Sequence, residues 1–365
     1  MYLHLDTFTY SMEETALHII SNFQTEENIN SPFRGQGGKF LIIRFSSIGD
    51  IVLTTPVIRC LKQQVPRAEV HFLTKENYRG LLTGNPYIDK VQVLGNSWDL
   101  MMHQLQYEQY DYIIDLHHNL RTLRIKKALK GAQHFSFNKL NVQKWLLTAL
   151  KINRLPHVHI VDRYLNTLKE LNVVNDGKGL DYFYPEKDKI KDTDLPISHI
   201  HGYVGIVIGA ALNTKKLPVH KLQELCAGIQ FPIVLLGGAE DREAGTQIAS
   251  VDAVKIYNSC GKFNLNESAD LLRYAKIIVT HDTGLMHMAA AFKKPIISVW
   301  GNTVPEFGMG PYYGNEPVRN EISEIKHLGC RPCSKIGYDT CPKGHFKCME
   351  LQDMDDLSER IRSFL

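Results

Sequence analysis

Residues 278–301 read Ile-Val-Thr-His-Asp-Thr-Gly-Leu-Met-His-Met-Ala-Ala-Ala-Phe-Lys-Lys-Pro-Ile-Ile-Ser-Val-Trp-Gly and predict a strand, a turn, a helix and a second strand. A helix that begins at a small-residue turn presents unpaired backbone N–H groups and the positive end of its dipole, which suits a phosphate. Asp282, Thr283 and His287 supply more polar groups than a structural turn needs. The unit therefore predicts a phosphate-binding site.

Strands and helices alternate through most of the remaining sequence, in two series. The first consists of predicted strands at 40–45, 69–73, 91–94 and 112–116 with helices at 51–64, 77–82 and 100–109. The second consists of strands at 203–208 and 232–236 with helices at 219–229, 242–250 and 265–274, and it leads into the unit quoted above. The alternation indicates βαβ units and mostly parallel sheets, an α/β fold.

The segment 175–201 divides the two series. It is rich in Asp, Lys, Gly and Pro and contains few apolar residues, so it is the best candidate linker. We expect an N-terminal half at 39–195, a C-terminal half at 196–365, and a polar extension at 1–38 with a helix at 12–23. Ligands of open α/β sheets bind outside the carboxyl ends of the strands, so two such halves would enclose a cleft.

Composition places the chain among globular proteins. It has 365 residues, of which 44% are hydrophobic and 22% charged. No apolar run approaches the roughly 20 residues that span a bilayer. Residues 1–38 lack the basic start, apolar middle and small-residue cleavage site of a signal peptide. These features predict a cytoplasmic protein.

Charge is unevenly distributed. The stretch between Leu116 and Val161 contains no Asp or Glu, three aromatic residues at Phe135, Phe137 and Trp145, and these basic residues: Arg121, Arg124, Lys126, Lys127, Lys130, Lys139, Lys144, Lys151 and Arg154. Solvated helix faces would explain many such runs. A stretch of this length favours an acidic partner: an anionic membrane surface, an anionic substrate or nucleic acid.

The turn after the first strand carries the first catalytic candidate. Residues 46–50 form a compact Ser-Ser-Ile-Gly-Asp turn whose amides could meet an anion. Asp50 is either a helix N-terminal residue favoured by the dipole or a general base for an acceptor hydroxyl. The turn is neither a Rossmann nor a Walker motif, so it indicates neither a dinucleotide nor an NTPase.

Two turns of the C-terminal half carry further candidates. Lys215 and Lys216 precede a predicted helix start at Pro218 and are either phosphate ligands or surface charges. Gly237 and Gly238 end a strand, where glycine permits close backbone approach to a ligand, and a carboxylate a few residues on can hold ribose hydroxyls.

Segments 46–56, 214–218, 237–238 and 281–291 together resemble the ADP-heptose:lipopolysaccharide heptosyltransferases of glycosyltransferase family 9, as do 115–121 and 159–164 at matching places. The likeness runs from about Lys39 to the C-terminus. It implies a GT-B architecture, with an acceptor-side and a donor-binding Rossmann-like domain. It implies inverting transfer of a heptose or related sugar from an ADP-sugar to a lipopolysaccharide inner-core acceptor. His281 departs from the family pattern, where small or polar residues are usual.

The resemblance also implies site roles. Catalysis would rest on Asp50, which deprotonates the acceptor hydroxyl, and on Lys215, which neutralises the departing diphosphate. Donor binding would involve Gly237, Gly238, Glu243 at the ribose, Asp282, Thr283, Gly284 and His287. Acceptor binding would involve Ser47, Arg121 and Arg163. Transfer would need no cofactor, because a lysine and a helix terminus supply the positive charge.

The same resemblance gives the basic stretch a partner. The acceptor is anionic and membrane-embedded, so we expect peripheral docking on the cytoplasmic face of the inner membrane through Lys126, Lys127 and Lys130, and no nucleic-acid partner. Two other functions stay open. A GT-B epimerase or hydrolase of nucleotide sugars would need no acceptor base. A zinc-containing nucleic-acid-binding protein would leave Asp50 and the Asp282 turn unexplained.

Four cysteines lie close together in a Cys-rich loop at 330–348, namely Cys330, Cys333, Cys341 and Cys348. They could bind structural zinc through four thiolates or through three and His345. Reduced thiols packed in a loop, or disulfides and redox sensing, are the alternatives.

Overall fold

The computed structural model describes residues 37–95, 97–317 and 320–365. Most of the predicted extension at 1–38, including its helix at 12–23, lies outside the described residues. The described chain contains two parallel sheets, each in one half of the sequence. No helix within these ranges is both long enough and apolar enough to cross a membrane.

The first sheet belongs to the N-terminal half (39–195). Its strands are β1 (Lys39–Ile43), β2 (Glu69–Lys75), β3 (Lys90–Leu94), β4 (Tyr112–Asp115) and β5 (Gln133–Ser136). They are hydrogen-bonded in the order β3-β2-β1-β4-β5, and every pair is parallel. The central strand β1 is almost wholly buried, which explains its continuous apolar sequence.

The second sheet belongs to the C-terminal half (196–365). Its strands are β6 (Val204–Val207), β7 (Ile233–Leu236), β8 (Ile256–Asn258), β9 (Ile277–His281), β10 (Ile296–Trp300) and β11 (Asn320–Glu324). Their order is β11-β10-β9-β6-β7-β8, again with parallel pairs only. The predicted α/β class with mostly parallel sheets is confirmed.

Twelve α-helices accompany the strands in the described residues. They are α1 (Ile48–Val52), α2 (Thr55–Gln64), α3 (Trp98–Tyr107), α4 (Leu120–Ala128), α5 (Asn141–Trp145), α6 (Ile160–Leu165), α7 (Val219–Gly228), α8 (Arg242–Ala249), α9 (Leu265–Tyr274), α10 (Gly284–Ala291), α11 (Lys347–Glu350) and α12 (Met354–Arg362). A π-helical turn, Leu146–Leu150, extends α5. The segment Glu76–Leu81, predicted as a helix, is a 3-10 helix.

The predicted helix at 51–64 is two helices, α1 and α2. Pro56 lies in the first turn of α2 and has no N–H to offer to the carbonyl of Val52. The Thr55 hydroxyl donates to that carbonyl instead, at 2.8 Å, and the Thr54 hydroxyl donates to Ile51 O at 2.7 Å. The two threonines therefore stabilise the break, and α1 becomes a separate short helix.

The segment predicted as a linker, 175–201, is tied to the N-terminal half near its start. The guanidinium of Arg59 on α2 is buried, and it pairs with Asp176 at 2.7 Å and with Asp181. Leu180, between these two carboxylates, is also buried. Because a buried charge requires a partner, the Asp residues that suggested a solvated linker instead hold the segment against α2.

The order of the strands predicts where ligands bind. Strand order reverses between β1 and β4 in the first sheet and between β6 and β9 in the second, and such switch points open crevices at the carboxyl ends of strands. The turns after β1 and β9 meet, because α1 packs against α10. One buried apolar cluster runs through this contact and includes Ile51 and Met286.

Candidate active site

A cleft of about 830 Å³ lies between the two sheets. It is lined by the turns that follow β1, β5, β6, β7 and β9, so it stands at the carboxyl ends of strands from both sheets. Most of the predicted site residues line it: Ser47, Asp50, Lys215, Gly237, Gly238, Asp282, Thr283, Gly284 and His287. The structure therefore brings together residues that are up to 240 positions apart in the sequence.

Asp50 has the surroundings of a fixed carboxylate. Its Oδ1 atom lies 2.6 Å from the guanidinium of Arg44, and its Oδ2 accepts hydrogen bonds from Ser47 N at 3.1 Å and Ser47 Oγ at 2.8 Å. The side chain is 20% exposed, toward the cleft. Asp50 therefore accepts hydrogen bonds from the residue that caps α1, as a helix N-terminal residue would, and its side chain also faces the cleft, where its role as a general base stays a prediction.

Electrostatics keep Asp50 ionised. Burial alone would raise the pKa of its carboxyl, but the charge of Arg44 and the hydrogen bonds from Ser47 outweigh burial, so the pKa lies below its usual value. At neutral pH the group is thus a carboxylate that can accept a proton.

Arg44 is a site residue that sequence reasoning missed. It is 8% exposed, and besides Asp50 it binds Ser46 O at 2.7 Å, Leu116 O at 2.6 Å and Tyr164 Oη at 3.0 Å. Its place directly after β1, six residues before the carboxylate, was the available signal. Arg44 therefore connects the turn after β1 to the turn after β4 and fixes the orientation of Asp50.

Two glycines allow the turns of the two halves to touch. A Cβ atom on Gly49 would lie 2.6 Å from Cδ2 of His287, and one on Gly284 would lie 2.6 Å from Cγ2 of Ile48. Both distances are shorter than carbon atoms tolerate. Glycine at these positions is therefore a packing requirement that brings the start of α1 against the start of α10.

The start of α10 has the features expected of a phosphate site. Thr283 caps the helix, and its hydroxyl accepts from Met286 N at 3.4 Å. The first N–H groups of a helix have no partner within it, and both Thr283 and Gly284 line the cleft. This end of α10 therefore presents backbone donors and positive dipole to the cleft.

Lys215 is ion-paired across the cleft wall. Its ammonium lies 2.6 Å from Asp282 Oδ2 and donates to Asp282 O at 3.3 Å. Thr303 donates a further hydrogen bond to the same carboxylate oxygen at 3.2 Å. Asp282 thus orients the lysine beside the start of α10, where an anion would also lie.

Two histidines of this unit are buried and neutral. Burial lowers the pKa of both His281 and His287 to about 4. His281 Nε2 accepts a hydrogen bond from Leu217 N at 3.0 Å, so this departure from the family pattern secures the loop that carries Lys215. His287 lines the cleft, and its buried Nδ1 has no hydrogen-bond partner among the described residues.

The glycines after β7 make room for carboxylates of their own loop. A Cβ on Gly237 would lie 2.9 Å from Asp241, and one on Gly238 would lie 2.3 Å from Glu240. Asp241 accepts from Gly238 N at 3.0 Å and pairs with Lys216 at 2.8 Å. Gly237 and Gly238 were predicted to let the backbone approach a ligand. In the structure they approach the carboxylates of Asp241 and Glu240, within a loop that lines the cleft.

Three predicted residues lie elsewhere. Glu243 is exposed on α8 and does not line the cleft, because the turn after β7 aims Glu240 and Asp241 there instead. Arg121 is exposed on α4, also outside the cleft lining. Arg163 is part-buried on α6, where it donates to Phe307 O at 3.2 Å rather than lining the cleft.

Lys126 is largely covered by its neighbours, although the sequence predicted it as an exposed residue for membrane docking. Its side chain is only 7% exposed, and its ammonium lies 2.9 Å from the carboxylate of Asp115, which is fully buried. The acid-free stretch contains no Asp or Glu of its own, yet the fold brings an acid from β4 against it. Lys127 and Lys130 are exposed, so the predicted group loses one member of three.

The four cysteines of the Cys-rich loop are not arranged as a zinc tetrahedron. Cys330 Sγ lies 3.9 Å from His345 Nε2. Ligands of one zinc ion approach to within about 4 Å of one another. No three of the four thiols and His345, all of them described residues, have ligand atoms within 4.8 Å of one another. Burial raises the pKa of Cys333 to about 11 and of Cys348 to about 12, and the neighbouring cysteines of the loop add to both shifts.

Among the described residues, one group does have metal-like spacing, and it consists of Glu69, His71 and Glu108. Lysine ammonium groups already neutralise it. Lys39 lies 3.1 Å from Glu69 and 2.9 Å from Glu108, and Lys90 also pairs with Glu108. The cluster is therefore a satisfied ion-pair network on the N-terminal sheet.

Comparison with known proteins gives consistent matches. A model of glycosyltransferase family 9 (heptosyltransferase) matches residues 99–339. Lipooligosaccharide heptosyltransferase 2 of Haemophilus ducreyi is 27% identical over 296 residues, which cover 74% of this chain and 85% of that protein. Lipopolysaccharide heptosyltransferase 2 of Salmonella typhimurium is 24% identical over 74% of this chain and 84% of its own length.

Solved structures match the fold. The E. coli ADP-heptose lps heptosyltransferase II gives a TM-score of 0.63 at 20% identity, covering 88% of this chain and 99% of that one. The E. coli heptosyltransferase WaaC with ADP gives 0.64 at 21% identity, covering 90% of this chain and all of the other, a coverage of 100%. These likenesses confirm the predicted GT-B architecture.

Proposed function

Because this chain belongs to glycosyltransferase family 9, the heptosyltransferase family, we propose that it transfers a heptose or related sugar from an ADP-sugar to an anionic acceptor of the lipopolysaccharide inner core. One observation carries the proposal: a hydrogen-bonded carboxylate, Asp50, and a lysine held at a helix start, Lys215, line the same cleft from opposite halves. A base and a site for the leaving group are the two groups that such a transfer needs.

The donor would lie along the C-terminal half. Its diphosphate would lie between Lys215 and the start of α10, where Asp282 already orients the lysine at 2.6 Å. His287 would face the sugar–phosphate end of the donor, and Glu240 is the cleft-lining carboxylate that we propose for the ribose. Gly237 and Gly238 line the same region. The relative solved with ADP supports an adenine nucleotide.

The proposed transfer is a single displacement that inverts the anomeric carbon. The acceptor oxygen forms a bond to that carbon as the bond to the diphosphate oxygen breaks, and ADP leaves with the electron pair. Asp50 accepts the hydroxyl proton. Its lowered pKa makes it a weak base, so we expect proton transfer to occur late, after the attacking oxygen has become acidic. Lys215 and α10 offset the charge on ADP without requiring a metal cofactor.

The acceptor would approach from the N-terminal half. The segment that contains α5 exposes Val142 by 67%, Trp145 by 53% and Leu150 by 53%, close in sequence to the cleft-lining Lys144. These apolar side chains and exposed basic residues such as Lys127 belong to the same acid-free stretch, a combination that suits an anionic lipid surface. We propose peripheral attachment to the cytoplasmic face of the inner membrane through this segment.

A ligand screen followed by a product assay tests the function. ADP-heptose at 100 times its Kd should stabilise the protein by about 2.7 kcal/mol, whereas UDP- and GDP-sugars should leave Tm unchanged. Incubation with ADP-heptose and a heptose-deficient core acceptor should add one heptose mass to the acceptor. Release of free heptose at the same rate without acceptor would indicate a hydrolase. Salt-dependent oligonucleotide binding without a response to ADP-sugars would favour the nucleic-acid alternative.

A further inference from the structure

Three lysines in the cleft have no role in the transfer described above. Lys139, Lys144 and Lys335 all line it. Their ammonium groups have neither an ion pair nor a hydrogen bond to any described residue, unlike Lys215 and Lys216, which are paired. An unpaired ammonium in a partly enclosed site is a ready partner for an anion.

The lysines come from both halves of the chain. Lys139 and Lys144 follow β5, with Lys144 on α5, whereas Lys335 lies in the Cys-rich loop. That loop is anchored to both halves. Lys151 of the N-terminal half donates to Cys330 O at 3.1 Å and to Pro332 O at 2.7 Å.

On the other side of Lys335, the Cys-rich loop is bound to the loop that carries Lys215. Tyr338 N donates to Thr214 Oγ1 at 2.8 Å, and Thr214 N donates to Tyr338 O at 3.0 Å. Lys335 is therefore exposed to the cleft from a backbone that is fixed on both sides, and the Cys-rich loop acquires a task that needs no metal.

Positive charge exceeds negative charge in this part of the cleft. Burial, followed by the charges of Arg163, Lys335 and Arg44, lowers the pKa of Lys144 to about 8. Asp50 opposes these charges at Lys144, and Asp115 and Asp50 oppose them at Lys139, but both carboxylates are already ion-paired, Asp50 with Arg44 at 2.6 Å and Asp115 with Lys126 at 2.9 Å. Such an excess disfavours the empty cleft, and a ligand with two or more negative charges would relieve it.

We propose that Lys139, Lys144 and Lys335 form a subsite for the anionic groups, phosphate or carboxylate, of the acceptor. The inference rests on the proposed function and names the residues that would select its acceptor. Asp50 is among the strongest charges that act on both Lys139 and Lys144. A ligand whose hydroxyl reaches Asp50 would therefore place its charged groups near these lysines, while the donor diphosphate has Lys215 and α10.

Steady-state kinetics with both substrates tests the subsite. Lys139→Met, Lys144→Met and Lys335→Met should each raise the acceptor KM about 10-fold, the loss expected for one charge-assisted hydrogen bond. The donor KM should stay within about 2-fold of wild type. Lys144→Arg keeps the charge and should restore most of the affinity. Lys169→Met, which removes an exposed lysine outside the cleft lining, is the matched control.

An equal rise in donor KM and acceptor KM would overturn the proposal and assign the lysines to the donor. A dephosphorylated acceptor separates the two anions. If Lys144→Met no longer raises the KM for the dephosphorylated acceptor, the subsite binds phosphate. If Lys144→Met still raises that KM, the subsite binds carboxylate.

A binding measurement keeps the subsite testable if wild-type protein transfers no sugar and the proposed function fails. Calorimetric titration with glucose 1,6-bisphosphate, with saturating ADP present to fill the donor side, should show binding that Lys144→Met and Lys335→Met each weaken about 10-fold. Absence of wild-type binding, or equal binding by the variants and Lys169→Met, would overturn the subsite.

Discussion

Two regions of one cleft treat positive charge in opposite ways. On the side of the cleft proposed for the donor, Lys215 lies 2.6 Å from Asp282, and Lys216 lies 2.8 Å from Asp241. Near Asp50, the ammonium groups of Lys139 and Lys144 have no partner among the described residues. A paired lysine is already oriented and remains compensated after its ligand leaves. An unpaired lysine binds an anion more strongly but leaves the empty site with excess charge. We infer that the first arrangement suits a leaving group and the second an acceptor.

We expect the largest loss of activity at Asp50. This residue lies outside the comparison of paired and unpaired lysines, because it is a carboxylate whose charge Arg44 already offsets. Asp50→Asn removes the proposed base and should lower kcat about 10³-fold, while the Tm shift with ADP-sugar stays at the wild-type value. Ser47→Ala, which removes one of three polar contacts to the carboxylate, should cost about 10-fold in kcat. Asp50→Asn activity within 10-fold of wild type would exclude Asp50 as the base.

The role of the paired lysines can be tested by breaking the ion pair between Lys215 and Asp282. Lys215→Met removes the cation beside the diphosphate and leaves Asp282 to repel it, so kcat should fall about 10²-fold and the donor KM should rise. The double variant Lys215→Met/Asp282→Asn should recover part of the donor KM. A double variant with a higher donor KM than Lys215→Met would mean that Asp282 binds the sugar directly instead of orienting the lysine.

Acceptor binding at the unpaired lysines should depend on pH within the range of an ordinary enzyme assay. Lys144 has a pKa of about 8, it is charged below that pH, and an anion loses its partner as pH rises through it. The groups that face it are Arg163, Lys335 and Arg44, which stay cationic, and Asp50, which stays anionic. We expect kcat/KM for the acceptor to fall roughly 10-fold between pH 7 and pH 9.

Two controls isolate this titration. In Lys144→Arg the guanidinium does not titrate below pH 12, so the fall should move to higher pH. Under saturating acceptor, kcat should show a much shallower pH dependence. An unaltered profile in Lys144→Arg would assign the titration to another group.

The smallest expected effect concerns the surface beside the unpaired lysines. Trp145→Ser removes a half-exposed indole, which should weaken binding to anionic phospholipid vesicles about 5-fold in a sedimentation assay. Kinetics with a detergent-free, deacylated acceptor should not change. Tyr107→Ser, at an aromatic residue that is 88% exposed outside the basic stretch, is the matched control. Equal losses for both variants would argue against a specific membrane-facing segment.

The sequence predicted the buried parts of the fold better than its edges. Strands β1, β6, β9 and β10 are apolar runs buried on both faces, which is the pattern that sequence reasoning detects. Three edge strands were missed, and each pairs on one side only: β5 and β11 because they are largely polar, and β8 because it has only three residues. Their existence depends on the neighbouring strand rather than on their own composition.

The site divides in the same way. Turns at the carboxyl ends of strands predicted Asp50, Lys215 and the Asp282 unit, because topology alone places those turns together. Whether Glu243 or Glu240 lines the cleft depends on the direction of each side chain within one helical turn. The spacing of residues in the sequence does not determine that direction. The pairing of Lys126 with Asp115 and the meeting of Lys144 with Lys335 depend on tertiary contacts.

Two close contacts, Gly49 with His287 and Gly284 with Ile48, set the distance between the turn that carries Asp50 and the turn that carries Asp282. Asp50, the proposed base, follows Gly49 directly in sequence, and Asp282 lies two residues before Gly284. Because neither contact leaves room for a methyl group, the two contacts fix the gap that the transferred sugar would cross under the proposed function. A Cβ at either position would act as a spacer that widens this gap. Under the proposed function, the two glycines therefore set the distance between the base and the donor diphosphate by their lack of a side chain.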